Sequence, residues 1–217
     1  SFFTKPALAV AKDLLGKCIC AKIRGRLRYG MIVETEAYPG PYDKASHAFG
    51  MKRTKRNEAE FREGGYVYIY LVYGMYWQLN ISTGKEDYPE CVLIRALEPI
   101  QKSLHANKSK YKANISEEDI SLNSRYRNIS LNSCDLTNGP GKLCRWLKLD
   151  KSFYGEDVTK SKRLWFAEGK KISQSQTRLP ARQVASGPRI GIDYAGPKWA
   201  KKPWRFYIEN NYCVSKQ

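Results

Sequence analysis

The sequence predicts a mixed α/β fold, mostly antiparallel and contained in one domain that covers residues 1–217. Three observations support this prediction. The chain has 217 residues, of which 42% are hydrophobic, and this is enough to bury one sizeable core. Most apolar segments are short, as strands are, and are separated by residues that form turns. The chain contains no internal repeats.

The chain opens with a helix and two strands. Residues 6–15, PALAVAKDLL, predict a helix because a proline stands at the start of the segment and Gly16 follows it. Residues 18–22 and 28–38 predict strands. The second segment has a run of apolar residues, after which acidic residues alternate with other residues.

The end of the second strand is acidic. Glu34, Glu36 and Tyr38 alternate there, so their side chains share one face of the strand. Carboxylates on a strand beside a long loop can act as general acids or bases. They can also be solvated residues at the edge of a sheet, and this segment alone leaves both interpretations open.

Residues 39–65 are polar and rich in glycine, and they predict a long connection. Connections of this length are usually functional or disordered. His47 lies in this segment, where a lone histidine is more often a hydrogen-bonding scaffold than a catalyst. The basic stretch 51–57 suits phosphate groups about as well as it suits a solvated loop. Its candidate phosphate ligands are Arg53, Lys55 and Arg56.

Residues 66–80, YVYIYLVYGMYWQLN, hold five tyrosines and one tryptophan in fifteen positions. Their alternation predicts a hairpin with one aliphatic face and one wet tyrosine face, and Gly74 supplies the turn. Two large side chains, Tyr73 and Met75, then stand at the tip. The pattern fits either a cross-strand tyrosine ladder with an ordinary turn or a stacking surface with an apolar wedge at its tip.

Residues 91–97, CVLIRAL, predict a short buried strand that Arg95 interrupts. A buried guanidinium needs a carboxylate or phosphate partner. Pairing with Glu36 would satisfy both side chains and assemble a site, whereas pairing elsewhere would give Arg95 a purely structural role.

The second half of the chain is less regular. Residues 101–133 are rich in Lys, Ser and Asn and predict a mobile insertion or a partial helix. Residues 137–149 predict a loop that enters a helix, where Gly141 and Lys142 could hold a phosphate or simply belong to the helix cap. Two further short strands are predicted at residues 187–194 and 204–209.

The chain carries 38 Lys and Arg residues against 21 Asp and Glu, a net charge of +17, which predicts a polyanionic partner. No apolar run is long enough to span a membrane and no basic amphipathic helix stands out, so nucleic acid is favoured over a membrane. The six cysteines form no C-x-x-C pair and only two histidines accompany them, which disfavours a metal site. Most cysteines stand among apolar residues and predict a reduced, intracellular protein. Residues 1–16 do not have the layout of a signal peptide.

A basic protein with an aromatic face, an apolar wedge and a candidate for a buried Glu/Arg pair has the parts that base extrusion requires. One side chain must enter the base stack and hold it open. A pocket must receive the extruded base and stack on it.

The blocks that carry these residues resemble the alkyladenine (3-methyladenine) DNA glycosylase family. The blocks are IVETEAYPGPYDKASHAF, YIYLVYGMYWQLN, VLIRALEP, LTNGPGKLC, RIGIDYAG and KPWRFYI, which run in the family's order over nearly the whole chain. Together they are highly specific, although no single block would be. The resemblance implies a curved antiparallel sheet with flanking helices and a protruding hairpin that inserts into DNA.

The resemblance also implies a monofunctional DNA glycosylase that excises alkylated or deaminated purines, namely 3-methyladenine, 7-methylguanine, hypoxanthine and ethenoadenine, without cutting the backbone. Glu36 matches the general base that activates water, and Arg95 matches the arginine that helps to hold this water. Tyr73 matches the intercalating residue at the hairpin tip, and Met75 matches a flanking contact. The implied base pocket consists of Tyr38, Ala45, His47, Tyr70 and Asn80.

Double-stranded DNA with a damaged purine is the partner that the resemblance implies, with no cofactor, metal or membrane. We expect a monomer that works with the DNA, in the nucleus of a eukaryote or in the cytoplasm and nucleoid of a bacterium. Residues 101–133 match no block of the family, and Ser46 stands where a small residue, often Ala, is expected. These departures bear on substrate range and not on the reaction.

Two other functions fit part of the pattern. A non-catalytic nucleic-acid-binding module on the same fold would use its aromatic face to stack on RNA or single-stranded DNA. A glycosidase would need two carboxylates across a sugar, which Glu34 and Glu36 could offer, but the charge of +17 fits a carbohydrate poorly. Glu36 beside Arg95 argues against a pure binder, because a carboxylate repels phosphates.

Overall fold

The computed structural model describes residues 2–100, 134–168 and 184–215. Within these ranges the strands form one curled antiparallel sheet with helices packed on it, and the predicted mixed α/β class is confirmed. Residues 101–133, predicted as an insertion or a partial helix, lie outside the described residues. The helices are α1 (Ala7–Asp13), α2 (Pro140–Leu147) and α3 (Pro197–Ala200), and the strands are β1 (Cys18–Ile23), β2 (Arg26–Tyr38), β3 (Val67–Val72), β4 (Tyr76–Ser82), β5 (Cys91–Pro99), β6 (Leu164–Ala167), β7 (Val184–Gly187) and β8 (Arg205–Ile208).

The strands follow the order β3-β4-β5-β2-β1-β6, and β8 joins β2 with β7 on its other side. The long strand β2 has two partners along one edge: β1 pairs with its first half, and β8 pairs with Glu34, Thr35 and Glu36. Strand β5 pairs along the other edge of β2. The acidic end of β2 is therefore enclosed on both sides, and Glu34 and Glu36 are not solvated residues at a sheet edge.

A register irregularity in the β2–β5 ladder lies beside these carboxylates. Glu34 pairs with Ala96, but the next residue, Thr35, pairs with Ile94, so Arg95 falls outside the regular register. Such irregularities redirect the side chains next to them and are frequent beside active sites. Here the irregularity sets Arg95 against the acidic end of β2.

One face of the sheet forms the core with α1 and α2. The aliphatic side of the predicted hairpin contributes Ile69, Leu79 and Ile81, which are at most 2% exposed. Helix α1 begins after Pro6 and covers this face with Val10 and other small apolar residues. Burial of each such aliphatic side chain contributes about 1.5–3 kcal/mol, so this face holds the hairpin in place.

The predicted strand at residues 187–194 is wrong over most of its length. Strand β7 ends at Gly187, and the residues up to the 3-10 turn Asp193–Ala195 form an irregular loop. Pro188 has no N–H group for a ladder, and Gly191 takes a φ of 77°. The strand predicted at 204–209 is confirmed as β8.

Four of the described cysteines, Cys18, Cys20, Cys91 and Cys144, are buried and free as predicted. Cys134 instead forms a disulfide with Cys213, and the prediction of a fully reduced protein is wrong for this pair. The two residues are 79 positions apart in the sequence. Their pairing depends on which segments the fold brings together, and no spacing pattern could reveal it.

Candidate active site

Glu36 and Arg95 form a buried ion pair at the end of β2. Arg95 Nη1 lies 3.2 Å from Glu36 Oε1, Glu36 is fully buried and Arg95 is 7% exposed. The predicted pairing of these two residues is confirmed. Because a buried carboxylate needs a nearby positive charge, the guanidinium allows a proton acceptor to exist inside the protein.

Two further donors orient Glu36. The Ile190 N–H donates to Oε1 at 2.8 Å, and the Tyr38 hydroxyl donates to Oε2 at 2.9 Å. Burial and the neighbouring Glu36 carboxylate raise the pKa of Tyr38 well above its ordinary value, so the hydroxyl keeps its proton and remains a donor. A carboxylate oxygen can accept two hydrogen bonds, so Oε2 retains a lone pair for a water molecule.

Glu34 holds Arg95 in position. Its Oε1 accepts hydrogen bonds from Arg95 Nε at 3.2 Å, Arg205 Nη1 at 3.0 Å and Ser215 Oγ at 2.9 Å, and its Oε2 accepts one from the Ser215 N–H at 2.8 Å. These four hydrogen bonds tie the Glu34 carboxylate to two arginines and to Ser215. Arg205 and Ser215 lie 171 and 181 residues further along the chain, so the sequence around Glu34 contained no signal for this role.

The five residues that the resemblance assigns to a base pocket meet around one cavity, which is lined by Tyr38, Ala45, His47, Tyr70 and Asn80. The same cavity is also lined by residues for which no role was predicted, namely Ser46, Glu60, Tyr68, Cys91 and Tyr194. The fold thus brings the predicted pocket residues together from β2, the loop after it and the hairpin.

The tyrosine face of the hairpin is covered at Tyr68 but not at Tyr76, which is 39% exposed, so the prediction of a wet face is wrong for part of it. Tyr68 is 1% exposed because the loop after β2 packs over it. Its hydroxyl lies 2.6 Å from His47 Nδ1, and its ring is tilted against that of Tyr70 with the centroids 5.1 Å apart. Tyr68 therefore fixes the histidine of the pocket, a role that alternation alone did not predict.

The side chain of His47 is neutral, and its contact with the Tyr68 hydroxyl fixes its position. Burial, followed by the charge of Arg56, lowers the pKa of His47 to about 4. Its ring meets the ring of Tyr70 edge-on, with the centroids 4.7 Å apart. A neutral imidazole bonded to Tyr68 matches the predicted hydrogen-bonding scaffold, and its ring forms part of the pocket wall.

A buried ion pair anchors the loop that carries His47. Both side chains of the pair, Asp43 and Arg189, are fully buried, and Arg189 Nη2 donates to Asp43 Oδ1 at 2.9 Å. The same carboxylate oxygen accepts the Ala45 N–H at 3.0 Å. The guanidinium lies over the rings of Tyr38 and Trp204, at 4.6 and 5.0 Å from their centroids. This pair fixes Ala45 and Tyr38 relative to each other, and neither partner was predicted as a site residue.

The tip of the hairpin presents two apolar side chains to solvent. Tyr73 is 87% exposed and Met75 is 62% exposed. The Met75 N–H donates to the Val72 carbonyl at 3.1 Å, which closes a tight turn. Gly74 and Tyr73 both have positive φ, 68° and 51°, and such a conformation costs about 1 kcal/mol or more in a residue with a side chain. The apolar tip predicted from the sequence is present.

The match to known proteins extends over nearly the whole chain. A family model described as methylpurine-DNA glycosylase (MPG) matches residues 1–212. The chain belongs to the methylpurine-DNA glycosylase family. The resemblance stated from the sequence blocks is confirmed.

Curated relatives of the chain carry the name "Putative 3-methyladenine DNA glycosylase". The protein from Natranaerobius thermophilus is 41% identical over 217 residues, which cover 99% of this chain and 96% of the relative. Those from Clostridium novyi and Methanocella arvoryzae are each 40% identical and match 100% of this chain, over 96% and 94% of their own lengths. The chain is therefore a DNA glycosylase of the 3-methyladenine type, an enzyme of DNA repair.

The basic residues predicted to bind phosphates differ in the contacts that they already make within the protein. Arg53 is bound to Glu58, with Nη2 2.6 Å from Oε1, and to Asp87 at 2.9 Å. Arg56 lies over the Tyr70 ring at 5.0 Å, at the pocket. Contact of Arg53, Lys55 and Arg56 with phosphates stays a prediction, and Arg53 already shares its charge with two carboxylates.

At the start of α2, the glycosylase requires a glycine for packing. A Cβ atom on Gly141 would lie 2.9 Å from the ring of Tyr76, so only glycine permits this approach of α2 to β4. Lys142 Nζ donates to Asn138 Oδ1 at 2.7 Å within the same turn. Phosphate binding by Gly141 and Lys142 stays a prediction, and the close packing is a separate reason for the glycine.

Neither a metal site nor a membrane span is found in the part of the glycosylase that the structure describes. These residues contain no group of three or more His, Cys, Asp or Glu side chains placed to hold a metal ion. None of the helices described here is both long and apolar enough to cross a bilayer.

Proposed function

We propose that this DNA glycosylase flips alkylated or deaminated purines out of duplex DNA and hydrolyses their N-glycosidic bond, as the first step of base excision repair. The proposed substrates are 3-methyladenine, 7-methylguanine, hypoxanthine and ethenoadenine. One observation carries the proposal: the buried Glu36–Arg95 ion pair adjoins, through Tyr38, a cavity walled by His47 and Tyr70.

The reaction needs a proton acceptor beside the sugar. As the bond between C1′ and the base breaks, its electron pair leaves with the base and the sugar becomes oxocarbenium-like. A water molecule held by Glu36 and Arg95 forms the new bond to C1′, and Glu36 takes its proton. The Glu36 carboxylate also stabilises the positive charge that develops on the sugar.

The pocket suits a flat and electron-poor ring. A purine alkylated at N3 or N7 is cationic, and it stacks favourably on the electron-rich ring of a tyrosine such as Tyr70. The cavity measures about 30 Å³, the space of about one water molecule, so a purine must widen it. We expect Tyr194 to move, because it is 70% exposed, and the hydrogen bond from its hydroxyl to the Ala45 carbonyl at 2.9 Å must then break.

Both alternative functions are less well supported. A non-catalytic binding module has no use for a buried carboxylate beside its stacking surface. A glycosidase needs two carboxylates that face the substrate, whereas Glu34 is held by four hydrogen bonds from Arg95, Arg205 and Ser215. In this proposal the enzyme uses no cofactor, works as a monomer and acts where the cell keeps its DNA.

Single-turnover excision tests this function. Two duplexes, one with hypoxanthine and one with 7-methylguanine, are incubated with an excess of wild-type protein. We expect release of the free base and an abasic strand that is not cut until alkali is added. Tight binding to both duplexes without base release would contradict the proposal and support the binding module.

Replacing the wedge tests base extrusion. We expect Tyr73→Ser to lower the single-turnover excision rate about tenfold to hundredfold, because the gap in the base stack loses its aromatic filling. Binding to undamaged duplex should change little, because phosphate contacts provide most of it.

The matched control for Tyr73→Ser is Tyr212→Ser, since Tyr212 is 82% exposed and belongs to the segment after β8 and not to the hairpin. We expect this control to excise at the wild-type rate. Equal losses of excision and of nonspecific binding in Tyr73→Ser would contradict a role as a wedge.

A further inference from the structure

Glu60 is a buried acid in the wall of the pocket that the proposed mechanism does not use. It lies in the 3-10 turn Glu58–Phe61, its residue is 2% exposed, and it lines the same cavity as Tyr70 and Asn80. A buried acid in a ligand cavity is a candidate functional group, because burial of a carboxyl is unfavourable unless a partner satisfies it.

The protein satisfies only one oxygen of Glu60. Oε1 accepts a hydrogen bond from the Cys91 thiol at 3.2 Å, and a thiol is a weak donor. Oε2 is buried and has no hydrogen-bond partner among the described residues. Asn57, which precedes the turn, donates its amide to the carbonyls of Lys52 at 2.8 Å and His47 at 3.3 Å.

Glu60 also lacks a salt-bridge partner among the described residues. No Lys or Arg of the described ranges forms a salt bridge with it, in contrast to Glu34 and Glu36, which share Arg95. Burial raises the pKa of Glu60 to about 7, against the lowering effects of the Cys91 thiol, of the nearby Asn57 amide and of the charge on Arg56. A cation bound beside Glu60 would supply the charge that the fold omits.

We infer that Glu60 contacts the flipped base and selects purines that carry a positive charge over neutral purines such as hypoxanthine. This inference rests on the proposed function, because it requires a base in the cavity. A purine alkylated at N3 or N7 brings both the missing charge and, through its N–H groups, a donor for Oε2.

Without Glu60, the aromatic walls of the pocket would distinguish charged purines from neutral ones less strongly. The rings of Tyr38 and Tyr70 can stack on any purine, charged or neutral. A carboxylate in a buried pocket attracts a cation strongly, because the local dielectric constant is low. A neutral base gains at most a hydrogen bond from the same group. Glu60 therefore increases the difference in binding free energy between charged and neutral purines.

The experiment measures a ratio of rates. Wild type, Glu60→Gln and Glu60→Met are assayed for single-turnover excision of 7-methylguanine and of hypoxanthine in the same duplex sequence at neutral pH. Glutamine keeps the shape of Glu60 and removes its charge. Methionine also has an unbranched side chain, and an apolar group in place of a poorly satisfied acid should not impair folding.

We expect the ratio of the 7-methylguanine rate to the hypoxanthine rate to fall at least about tenfold in both variants. Glu63→Gln, an exposed acid three positions away, should keep the wild-type ratio. Partial unfolding lowers both rates by the same factor, so it cannot produce the expected change.

The outcomes separate this inference from the proposed function. Excision of both bases by wild type, with an unchanged ratio in Glu60→Gln and Glu60→Met, would overturn the role of Glu60 and leave the glycosylase mechanism intact. No excision of either base by wild type would overturn both.

Discussion

Glu36→Gln should abolish excision while the protein still binds DNA. Glutamine has the shape of glutamate and can keep the contacts from the Ile190 N–H and Arg95, but it cannot accept a proton from water or stabilise a cationic sugar. General-base catalysis contributes about 10²–10⁴-fold, and we expect a loss of at least this size in the single-turnover rate. Binding to damaged duplex, measured by fluorescence anisotropy, should stay within a few-fold of wild type.

The control for Glu36→Gln is Glu209→Gln, which removes one negative charge from an exposed position just after β8. It should excise at the wild-type rate. The unfolding temperature of each variant shows whether the fold is retained. Excision by Glu36→Gln at a rate near that of wild type would remove Glu36 from its role as the base.

The second large effect concerns stability. Asp43→Asn should destabilise the protein by about 3–5 kcal/mol, because it leaves the buried guanidinium of Arg189 without its counter-charge. Urea unfolding followed by tryptophan fluorescence should show a midpoint about 1–2 M below that of wild type. Because Asp43 also binds the Ala45 N–H, we expect slower excision even where the variant is fully folded.

Asp13→Asn is the matched control for Asp43→Asn. Asp13 pairs with Lys5 at 2.8 Å, but both side chains are about half exposed, at 42% and 50%. Pairs of this kind contribute at most about 1 kcal/mol. If Asp43→Asn were no less stable than Asp13→Asn, the buried pair would not be what holds the loop after β2.

The catalytic candidates could be predicted because local pattern determines them. Alternation along β2 places Glu34, Glu36 and Tyr38 on one face whatever strand lies beside it. Arg95 stands alone in an apolar strand, so it needs an acidic partner, and the acidic face of β2 was available. The structure agrees on each of these points.

The remaining parts of the site depend on contacts between distant segments. Asp43 and Arg189 are 146 residues apart, and no pattern in the sequence around either residue predicts that they pair. Tyr68 belongs to an alternating strand whose tyrosine face appeared open to water, but the loop after β2 closes over it. Glu60 lies in a polar loop, where a glutamate is expected to be exposed. Only the folded arrangement shows that it is buried.

The turn at the hairpin tip bears on the proposed insertion of Tyr73 into DNA. Tyr73 is held in one backbone conformation by a closed turn, on a hairpin whose aliphatic face is buried in the core. Ordering of this segment is completed when the protein folds, so an encounter with DNA loses little further conformational entropy. We therefore expect the tip to probe successive base steps without a folding transition at each one. Dwell times on undamaged DNA would then reflect how readily each base pair opens and not how fast the protein rearranges.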